Sequence, residues 1–589
     1  MTGATHRRNT RSSVDRPEVL SPGGSPDAID SALAHGADAV YAGVGSLNAR
    51  TRADNVGAER LPALVRYVRS AGARLYVALN VPVTRHSLAD AVRTLAAAWL
   101  SGANAVILRD PILMRLAARS LAGMEIHAST QFGVLGPGSA RRAAELGCTR
   151  AILARELSLT DIRRIHRAVP GLKLEAFFFG ALCFGISGRC LLGEVVAGRS
   201  GNYGNCAQAC RLEYFSPDGA PLGRIFSMKD LDLFPRIREL VDAGVGSLKI
   251  EGRMKSPAWV GCVTSFARTA SEKWRAGGLS PDELSRFRRD VSILFSRPRT
   301  SGFLDGQDDA REVTCPEVSG QAGLPLPEFD LLPGGRKIRF VAPVDLALRD
   351  GLLVVRSSSP TGQGEALSIR ELLDGRGRPA GRILEGQVAV VELPFEGPFR
   401  SVAIHSANSV EARYGSGPFR LGSQLRSEEL PAPEVSHVLL ASDRIVVKGG
   451  LGRYQRSVEL PLVTQPARNQ GMSLEMMQRY FPGTTADLEP GLYVNPTLLK
   501  EVRRAFQEQI HAGYATELQR LAGELLSPLD LDALPFQPDD SVLLDRGPAC
   551  VSRVTGLAPG EVRTSGGDRF VIEPAVRGTV VRRTDPTGI

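Results

Sequence analysis

Residues 35–43 read HGADAVYAG, and the same order of residue types recurs four times before residue 255. In each copy a glycine follows an amphipathic run such as LPALVRYVRS (61–70) and precedes a short apolar stretch. This order is typical of a helix that ends at a left-handed glycine and is followed by a buried parallel strand. The other copies are AGARLYVAL (71–79), SGANAVILR (101–109), LGCTRAILA (146–154) and AGVGSLKIE (243–251).

Three further stretches bring the number of strand candidates before residue 255 to eight. They are PEVLSPGG (17–24), GMEIHASTQ (123–131) and LKLEAFFFG (172–180). Eight strand–helix units in about 250 residues match a TIM-type (β/α)8 barrel. An open doubly wound parallel sheet is the alternative. We therefore expect an α/β chain whose first half is a closed barrel.

The length and composition limit the number of domains and the class of protein. The 589 residues are enough for two to four domains, and 43% hydrophobic and 23% charged residues are typical of folded proteins. The first sixteen residues, MTGATHRRNTRSSVDR, are expected to form a disordered basic tail, since they lack the apolar segment of a secretory signal. The longest apolar run, AFFFGALCFGI (176–186), is too short to span a bilayer. We expect a cytoplasmic protein that does not contact the membrane.

Half of the eight cysteines lie in one segment, CFGISGRCLLGEVVAGRSGNYGNCAQAC (183–210). Disulfides are rare in a reducing cytosol, so clustered cysteines there indicate metal ligands or redox groups. The C-x6-C-x15-C-x3-C spacing differs from the short knuckles of most structural zinc sites. It suits four thiolate ligands of a [4Fe–4S] cluster, while a zinc site and unliganded thiols remain open alternatives.

Functional groups of such a barrel lie at the carboxyl ends of the strands and on the loops that follow. We predict that Glu175 and Glu251 carry protons in catalysis. The predicted substrate-binding residues are Arg50, His127, Gln131, Lys249, Arg253 and Lys255. Lys249, Arg253 and Arg50 would hold the carboxylates of a dianion or a phosphate. The alternative for each residue is a structural ion pair, as in a ladder of Lys249, Glu251 and Arg253.

The net charge of +9, from 72 basic and 63 acidic residues, favours a polyanionic partner such as RNA. A charge of this size spread over 589 residues is equally compatible with an ordinary solvated surface. Charge alone therefore leaves the partner open.

The cysteine segment, GALCFGISGRCLLGEVVAGRSGNYGNCAQACR (180–211), resembles the signature of peptidase family U32. Five other stretches resemble that family in the same order, and together they cover about residues 17 to 305. They are GADAVYAG (36–43), IHASTQFGVL (126–135), LARELSLTDI (153–162), SMKDLDLFPRIRELVDAGVGSLKIEGRMKSPAWV (227–260) and FSRPRTSGFLDG (295–306). One departure is visible: Phe179 stands where the family usually has a histidine.

The resemblance implies a TIM-type barrel that carries a [4Fe–4S] cluster. The implied ligands are Cys183, Cys190, Cys206 and Cys210. Members of this family resemble hydroxylation factors, which add oxygen to a transfer RNA uridine, a 23S ribosomal RNA cytidine or a ubiquinone precursor. Prephenate is the implied co-substrate of the RNA branches. The implied partners are RNA, as ribosomal RNA or its precursor, and the iron–sulfur assembly machinery.

The second half of the chain favours the ribosomal RNA branch, which carries a long carboxy-terminal extension. After the barrel (17–305) we expect a linker (306–329), a small β-barrel domain (330–430), an α+β extension (431–526) and a β-rich segment (527–589). Lys500, Arg503 and Arg504 lie on a predicted helix, which would bind structured RNA or connect two domains.

The favoured function is therefore hydroxylation of an RNA base, and a collagenase-like peptidase is the alternative. The sequence offers a peptidase little support, since it has no H-E-x-x-H helix and no G-x-S-x-G elbow. Hydroxylation of a small molecule and a non-catalytic cluster protein are further alternatives.

Overall fold

The structure is a computed structural model that describes most of residues 16–583. The residues in that range that it does not describe are 51–52, 307, 319, 360–363, 416–420, 422–429, 463, 468–470, 531–532, 535–549, 553–559, 565–568 and 576–577. The predicted disordered tail (1–16) lies outside the described residues except for Arg16.

The first half of the chain is a closed barrel of eight parallel strands. Its first seven strands are Glu18–Gly23 (β1), Ala39–Gly43 (β2), Arg74–Leu79 (β3), Ala105–Leu108 (β4), Glu125–Ala128 (β5), Arg150–Ile152 (β6) and Lys173–Ala181 (β7). The eighth is Val245–Glu251, which is numbered β11 because three short strands come before it in the chain. β11 pairs in parallel with both β1 and β7, so the sheet closes on itself. The predicted TIM-type fold is confirmed, and the open-sheet alternative is wrong.

Helices alternate with these strands on the outside of the barrel. They are Pro26–Ala34 (α1), Leu61–Ser70 (α2), Leu88–Ser101 (α3), Pro111–Ser120 (α4), Pro137–Glu145 (α5), Leu159–Ala168 (α6), Ile237–Asp242 (α8), Pro257–Glu272 (α9) and Pro281–Phe295 (α10), with Leu192–Ala197 (α7) in the cysteine segment. All five repeat glycines have φ between 75° and 100°, at Gly36, Gly72, Gly102, Gly147 and Gly244. The left-handed turn after each helix explains why the repeat keeps a glycine there.

A long insertion between β7 and β11 covers one side of the barrel opening. It contains the cysteine segment, followed by Tyr214–Phe215 (β8), Pro221–Gly223 (β9) and Asp230–Asp232 (β10). β10 runs antiparallel to the end of β7 and parallel to Arg299–Thr300 (β12). The insertion is therefore attached to the barrel sheet at its carboxyl end.

The second half of the chain forms smaller sheets. Residues 324–406 contain two four-stranded antiparallel sheets and a two-stranded pair, and residues 434–488 contain a four-stranded sheet. Their strands are Leu324–Pro325, Asp330–Leu331, Lys337–Val341, Leu346–Ala347, Gly351–Arg356, Glu365–Ser368, Leu372–Asp374, Arg382–Ile383, Val388–Glu392, Phe399–Ser406, Glu434–Leu440, Arg444–Leu451, Tyr454–Pro461 and Thr485–Leu488. Gln465–Pro466 pairs with Leu492–Tyr493, and the helices are Ala310–Val313, Asn408–Tyr414, Leu474–Gln478 and Pro496–Leu526.

The last strands return to the cysteine insertion. Cys550–Ser552, Gly560–Thr564, Arg569–Ala575 and Gly578–Arg583 share one six-stranded sheet with β8 and β9. The contact is made by Gly560–Thr564, in which Thr564 pairs with Tyr214. The predicted boundaries of the four segments after the barrel stay predictions. No helix among the described residues is long and apolar enough to cross a bilayer.

Candidate active site

The cysteine segment begins two residues after β7 and lies over the carboxyl end of the barrel, here called the mouth. Among the described residues these four cysteines form no disulfide bond; Cys183 and Cys206 are exposed, and Cys190 and Cys210 are half-buried. Three other cysteines, Cys148, Cys262 and Cys315, are buried as expected of core residues. The structure therefore separates the clustered thiols from the packing thiols.

The loop between Cys183 and Cys190 is held by residues that follow β6. The Glu156 carboxylate accepts hydrogen bonds from the Ser187 backbone N–H at 2.7 Å and from its hydroxyl at 3.1 Å. The Arg155 guanidinium donates to the Ser187 hydroxyl at 3.0 Å. These charge-assisted bonds fix the middle of the loop, and Ser187 is only 1% exposed.

The loop between Cys206 and Cys210 has its own supports. The Arg211 guanidinium donates to the Leu182 carbonyl at 3.1 Å and to the Ser227 hydroxyl at 2.8 Å. The Tyr214 hydroxyl donates to the Ala209 carbonyl at 3.1 Å. Sequence reasoning did not single out Arg211, although its position directly after the last cysteine was the available signal.

The four thiols lie within electrostatic reach of one another. Burial raises the pKa of the Cys210 thiol, and negative charge on Cys183, Cys190 or Cys206 raises it further. Among the described residues, however, no three His, Cys, Asp or Glu side chains are grouped closely enough to hold a metal ion.

A donor set of four mutually interacting thiols fits a [4Fe–4S] cluster by its chemistry. Each iron of such a cluster takes one cysteine thiolate, so the four sulfurs do not converge on a single atom. Two arginines lie near these thiols, because Arg50 interacts electrostatically with Cys206 and Arg155 with Cys183. Cations of this kind offset the negative charge of thiolate ligands.

Arg50 and Glu251 form an ion pair across the mouth. The Arg50 guanidinium, from the loop after β2, lies 2.7 Å from the Glu251 carboxylate at the end of β11. Burial raises the pKa of Glu251, but Arg50 and its neighbours outweigh that effect and hold it below its usual range. Glu251 is therefore ionised near neutral pH, and its role as a proton carrier stays a prediction.

Arg253 is a buried cation without a carboxylate partner in the described part of the chain. It donates to the side-chain oxygens of Asn48, at 2.8 Å, and Asn55, and its Nε has no hydrogen-bond partner there. Burial lowers its pKa to about 10. A Cβ on Gly24 would lie 1.8 Å from the Arg253 carbonyl oxygen, so only glycine fits against this turn. A buried, incompletely bonded guanidinium is suited to hold an anion.

Glu175 and Lys249 lie inside the barrel, below the mouth. Glu175 is fully buried and contacts Lys249 at 3.0 Å and Arg150 at 3.1 Å. Burial raises its pKa, but the two cations lower it to about 2. Lys249 lies 3.9 Å from the centre of the Tyr41 ring. These contacts make an internal ion cluster, and the catalytic role of Glu175 stays a prediction.

His127 also points into the barrel rather than onto a loop. Its Nε2 lies 3.2 Å from the Glu125 carboxylate and its ring packs edge-on to Tyr76. Gln131 follows β5 in a short 3-10 helix (Thr130–Phe132), and its side-chain oxygen is buried without a partner in the described residues. The structure thus brings Gln131 near the Cys183–Cys190 loop, since a Cβ on Gly188 would lie 2.3 Å from its backbone oxygen.

Phe179, at the position of the family histidine, does not face the mouth. It is 2% exposed and contacts the rings of Phe287, Phe234 and Trp259, with centres 5.0 to 5.9 Å away. Phenylalanine at this position therefore extends the aromatic core between β7 and the outer helices.

The basic residues Lys500, Arg503 and Arg504 are exposed on the helix Pro496–Leu526, as the sequence predicts. That helix packs on α3, where the Tyr514 hydroxyl lies 2.9 Å from the Ser101 hydroxyl. It is attached to the outer layer of the barrel, and its binding to RNA stays a prediction.

Comparison with known proteins gives one family and two kinds of relative. The sequence model of peptidase family U32 matches residues 24–314. The chain is 37% identical over 263 residues to the 23S rRNA 5-hydroxycytidine C2501 synthase of Escherichia coli, covering 44% of this chain and 39% of that protein. It is 33% identical over 305 residues to tRNA hydroxylation protein P1 of Bacillus subtilis, covering 49% and 71%.

A third relative is named Collagenase. This protein of Porphyromonas gingivalis is 31% identical over 308 residues, covering 49% of this chain and 74% of the relative. The chain thus spans 71% of the transfer RNA relative and 74% of the collagenase, but only 39% of the ribosomal RNA relative.

Proposed function

The chain belongs to peptidase family U32, and from this membership we propose that it hydroxylates an RNA base, with a cytidine of 23S ribosomal RNA as the favoured substrate. The observation that carries the proposal is the 37% identity to a 23S rRNA 5-hydroxycytidine synthase. Relatives named for transfer RNA hydroxylation support the same reaction class on another RNA.

The charge at the mouth supports an RNA substrate. Arg85 and Arg189 are exposed on the loops that follow β3 and β7. Exposed arginines of this kind bind phosphates without reading sequence. A base reaches the thiols only when it leaves its stack, as in single-stranded or looped RNA.

We propose that Cys183, Cys190, Cys206 and Cys210 bind a [4Fe–4S] cluster. When bound, such a cluster would supply electron transfer or an open iron position for activation of an oxygen donor. The supporting observation is that the Cys210 thiol interacts electrostatically with Cys183, Cys190 and Cys206. Iron with acid-labile sulfide in anaerobically purified protein supports this assignment, whereas zinc alone contradicts it.

The remaining residues of the mouth bind and orient. Arg253 and Arg50 would hold the carboxylates of a dianionic co-substrate, for which prephenate is our candidate. Glu251, ionised beside Arg50 at 2.7 Å, would accept a proton from the base or co-substrate. The Glu156–Ser187 and Arg211 contacts would keep the thiol loops in place.

Peptidase activity is the second candidate, because one relative at 31% identity is named Collagenase. The hydrogen bonds of the serine, cysteine and histidine side chains do not favour a peptidase. Ser187 contacts Glu156 and Arg155, and no histidine in the described residues bonds a serine hydroxyl or a cysteine thiol. A serine or cysteine nucleophile normally has such a base beside it.

Nucleoside mass spectrometry of ribosomal and transfer RNA separates the two candidates. We expect a base one oxygen lighter in a strain that lacks the gene than in the complemented strain. Unchanged RNA together with cleavage of denatured collagen by the purified protein would contradict RNA hydroxylation and support peptidase activity instead.

A further inference from the structure

Large apolar side chains that face solvent are few in the barrel half of the chain. The described part of residues 16–306 has four, with exposures from 39% to 55%. All four lie in segments that follow the carboxyl ends of β5, β7 and β11, and none of them lies on an outer helix or at the opposite end of the barrel. They are Leu135, Leu212, Leu222 and Met254. Single exposed apolar residues are ordinary, but their restriction to one end of the barrel indicates a contact surface.

Met254 is the most exposed of the four, at 55%, although both of its neighbours turn away from solvent. Arg253 is buried and donates to the Asn48 side chain at 2.8 Å. Lys255 is half-buried, with its Nζ 2.7 Å from the centre of the Phe295 ring, and its predicted role in substrate binding stays a prediction. The sequence therefore places a lone apolar side chain in water between two anchored cations.

The turn that carries Met254 borders the mouth. The Lys255 backbone N–H closes this turn by donating to the Gly252 carbonyl at 2.9 Å. Glu251, directly before the turn, pairs with Arg50 at 2.7 Å. Met254 therefore lies on a fixed backbone, three residues from the ion pair that crosses the mouth.

The loops at this end of the barrel are cationic as well as apolar. Loops 80–87, 129–136 and 252–256 contain no aspartate or glutamate, and the thiol segment 183–212 has three arginines and one glutamate. A partner of this surface therefore combines negative charge with apolar groups. Single-stranded RNA has both, as phosphates and as the faces of unstacked bases.

We propose that Met254 inserts between the bases of a single-stranded or looped RNA, next to the nucleotide whose base leaves the stack. The side chain would fill the space that this base vacates and would keep the base turned towards the thiols. Proteins that unstack nucleic acid bases use apolar side chains, methionine included, in this way. The inference rests on the proposed function for the identity of the partner, and it names the residue that holds the RNA in its unstacked form.

Methionine is chemically suited to this contact. Its side chain is unbranched and flexible, and its sulfur makes favourable contacts with aromatic rings. It carries no charge, so its removal changes the contact with bases but not the number of phosphate contacts, which sets the salt dependence of binding. The two kinds of contact can therefore be measured separately.

Fluorescence anisotropy with the full-length protein tests the proposal. The probes are a labelled single-stranded RNA of about twelve nucleotides and the same strand annealed to its complement. We expect Met254→Ala to weaken binding of the single strand about 5- to 10-fold, because one apolar side chain loses its contact. The slope of log affinity against log salt should stay the same. Binding of the duplex should stay unchanged, since its bases remain stacked.

Two further variants are the controls. Met254→Leu keeps an apolar side chain and should bind the single strand like the natural protein. Leu348→Ala removes a side chain that is 43% exposed in the second half of the chain, and it should bind both RNAs like the natural protein. Equal losses of affinity for the single strand and the duplex, no loss for either, or a lower iron content in Met254→Ala would overturn the proposal.

A second measurement uses the natural protein and needs no variant. The same single strand with one 5-iodouridine is irradiated in the complex, and the crosslinked peptides are mapped by mass spectrometry. We expect crosslinks within residues 252–256. Crosslinks confined to the basic helix Pro496–Leu526 would place the bases elsewhere and overturn the proposal.

These outcomes are separate from those of the nucleoside experiment. Binding of the single strand that depends on Met254, in a protein whose deletion leaves RNA unchanged, would keep the contact and remove hydroxylation. Changed RNA in the deletion strain, with equal affinities for Met254→Ala and the natural protein, would keep hydroxylation and remove the contact.

Discussion

The carboxylate of Glu156 accepts two hydrogen bonds from Ser187, one from its backbone N–H and one from its hydroxyl. Ser187 lies midway between Cys183 and Cys190, so the end of β6 is connected to the loop that carries two of the four thiols. Hydrogen bonds to a buried carboxylate are among the stronger ones in proteins. The thiol loop is therefore held in place by the barrel itself.

This contact predicts a change in cluster retention. Glu156→Gln replaces one acceptor oxygen by a donor and should weaken the loop by about 1.5 to 3 kcal/mol. We expect faster loss of iron during incubation with a chelator, followed by the visible absorbance, with an unchanged far-ultraviolet circular dichroism spectrum. Glu145→Gln, which alters an exposed pair with Arg142, is the matched control. Equal rates of iron loss in the two variants would contradict a positioning role for Glu156.

The cysteines predict a loss of colour and activity together. Cys190→Ala removes one of the four proposed ligands, so the brown chromophore and RNA hydroxylation should both disappear while the barrel stays folded. Cys148→Ala changes a buried thiol outside the segment and should keep both. Iron and activity retained in Cys190→Ala would reject the cluster assignment.

The internal ion cluster predicts a stability effect. Glu175→Gln leaves Arg150 and Lys249 buried beside a neutral side chain, which should lower the free energy of unfolding by about 3 to 5 kcal/mol. Denaturant unfolding measures this difference. A variant as stable as the natural protein would show that the cluster is dispensable for folding.

The same cluster predicts acid sensitivity. The pKa of Glu175 is about 2 in the folded chain, below the value of about 4.3 for an unfolded glutamate. Its ionisation therefore stabilises the fold fully above about pH 4.3, and that contribution declines as the pH falls towards 2. Unfolding curves between pH 6 and pH 3 should show a smaller decline for Glu175→Gln than for the natural protein. Parallel declines would assign the acid sensitivity to other carboxylates.

Arg253 predicts an effect on anion binding. Arg253→Lys keeps the charge but loses the fork that bonds Asn48 and Asn55, so the affinity for prephenate should fall about 10- to 100-fold. Calorimetric titration measures this affinity, and the control is Arg268→Lys, which alters a half-buried arginine paired with Asp38 and Glu272. If both variants bound prephenate equally well, Arg253 would not be the residue that holds this anion.

The fold could be predicted because its signal is local. In the five copies of the repeat a left-handed glycine follows the helix and a short apolar strand follows the glycine, so these copies mark five of the units. The depth of a side chain was harder to predict. β7 has nine residues and Glu175 is its third, so this carboxylate lies inside the barrel rather than at the mouth.

The partners of the site residues could not be predicted, because they come from distant parts of the chain. Asn48 lies 205 positions from Arg253, and the cations that surround Glu175 belong to β6 and β11. The cysteine segment was visible from composition alone. Its connection to the strand Gly560–Thr564 through β8 was not, since pairing of short strands so far apart leaves no local signal.

The most direct test of the account is the mass of RNA nucleosides from a strain that lacks the gene, complemented with the natural protein, Cys190→Ala or Cys148→Ala. We predict a cytidine one oxygen heavier with the natural protein and Cys148→Ala, and its absence in the deletion and with Cys190→Ala. Identical nucleoside masses in all four strains would contradict RNA hydroxylation by this protein.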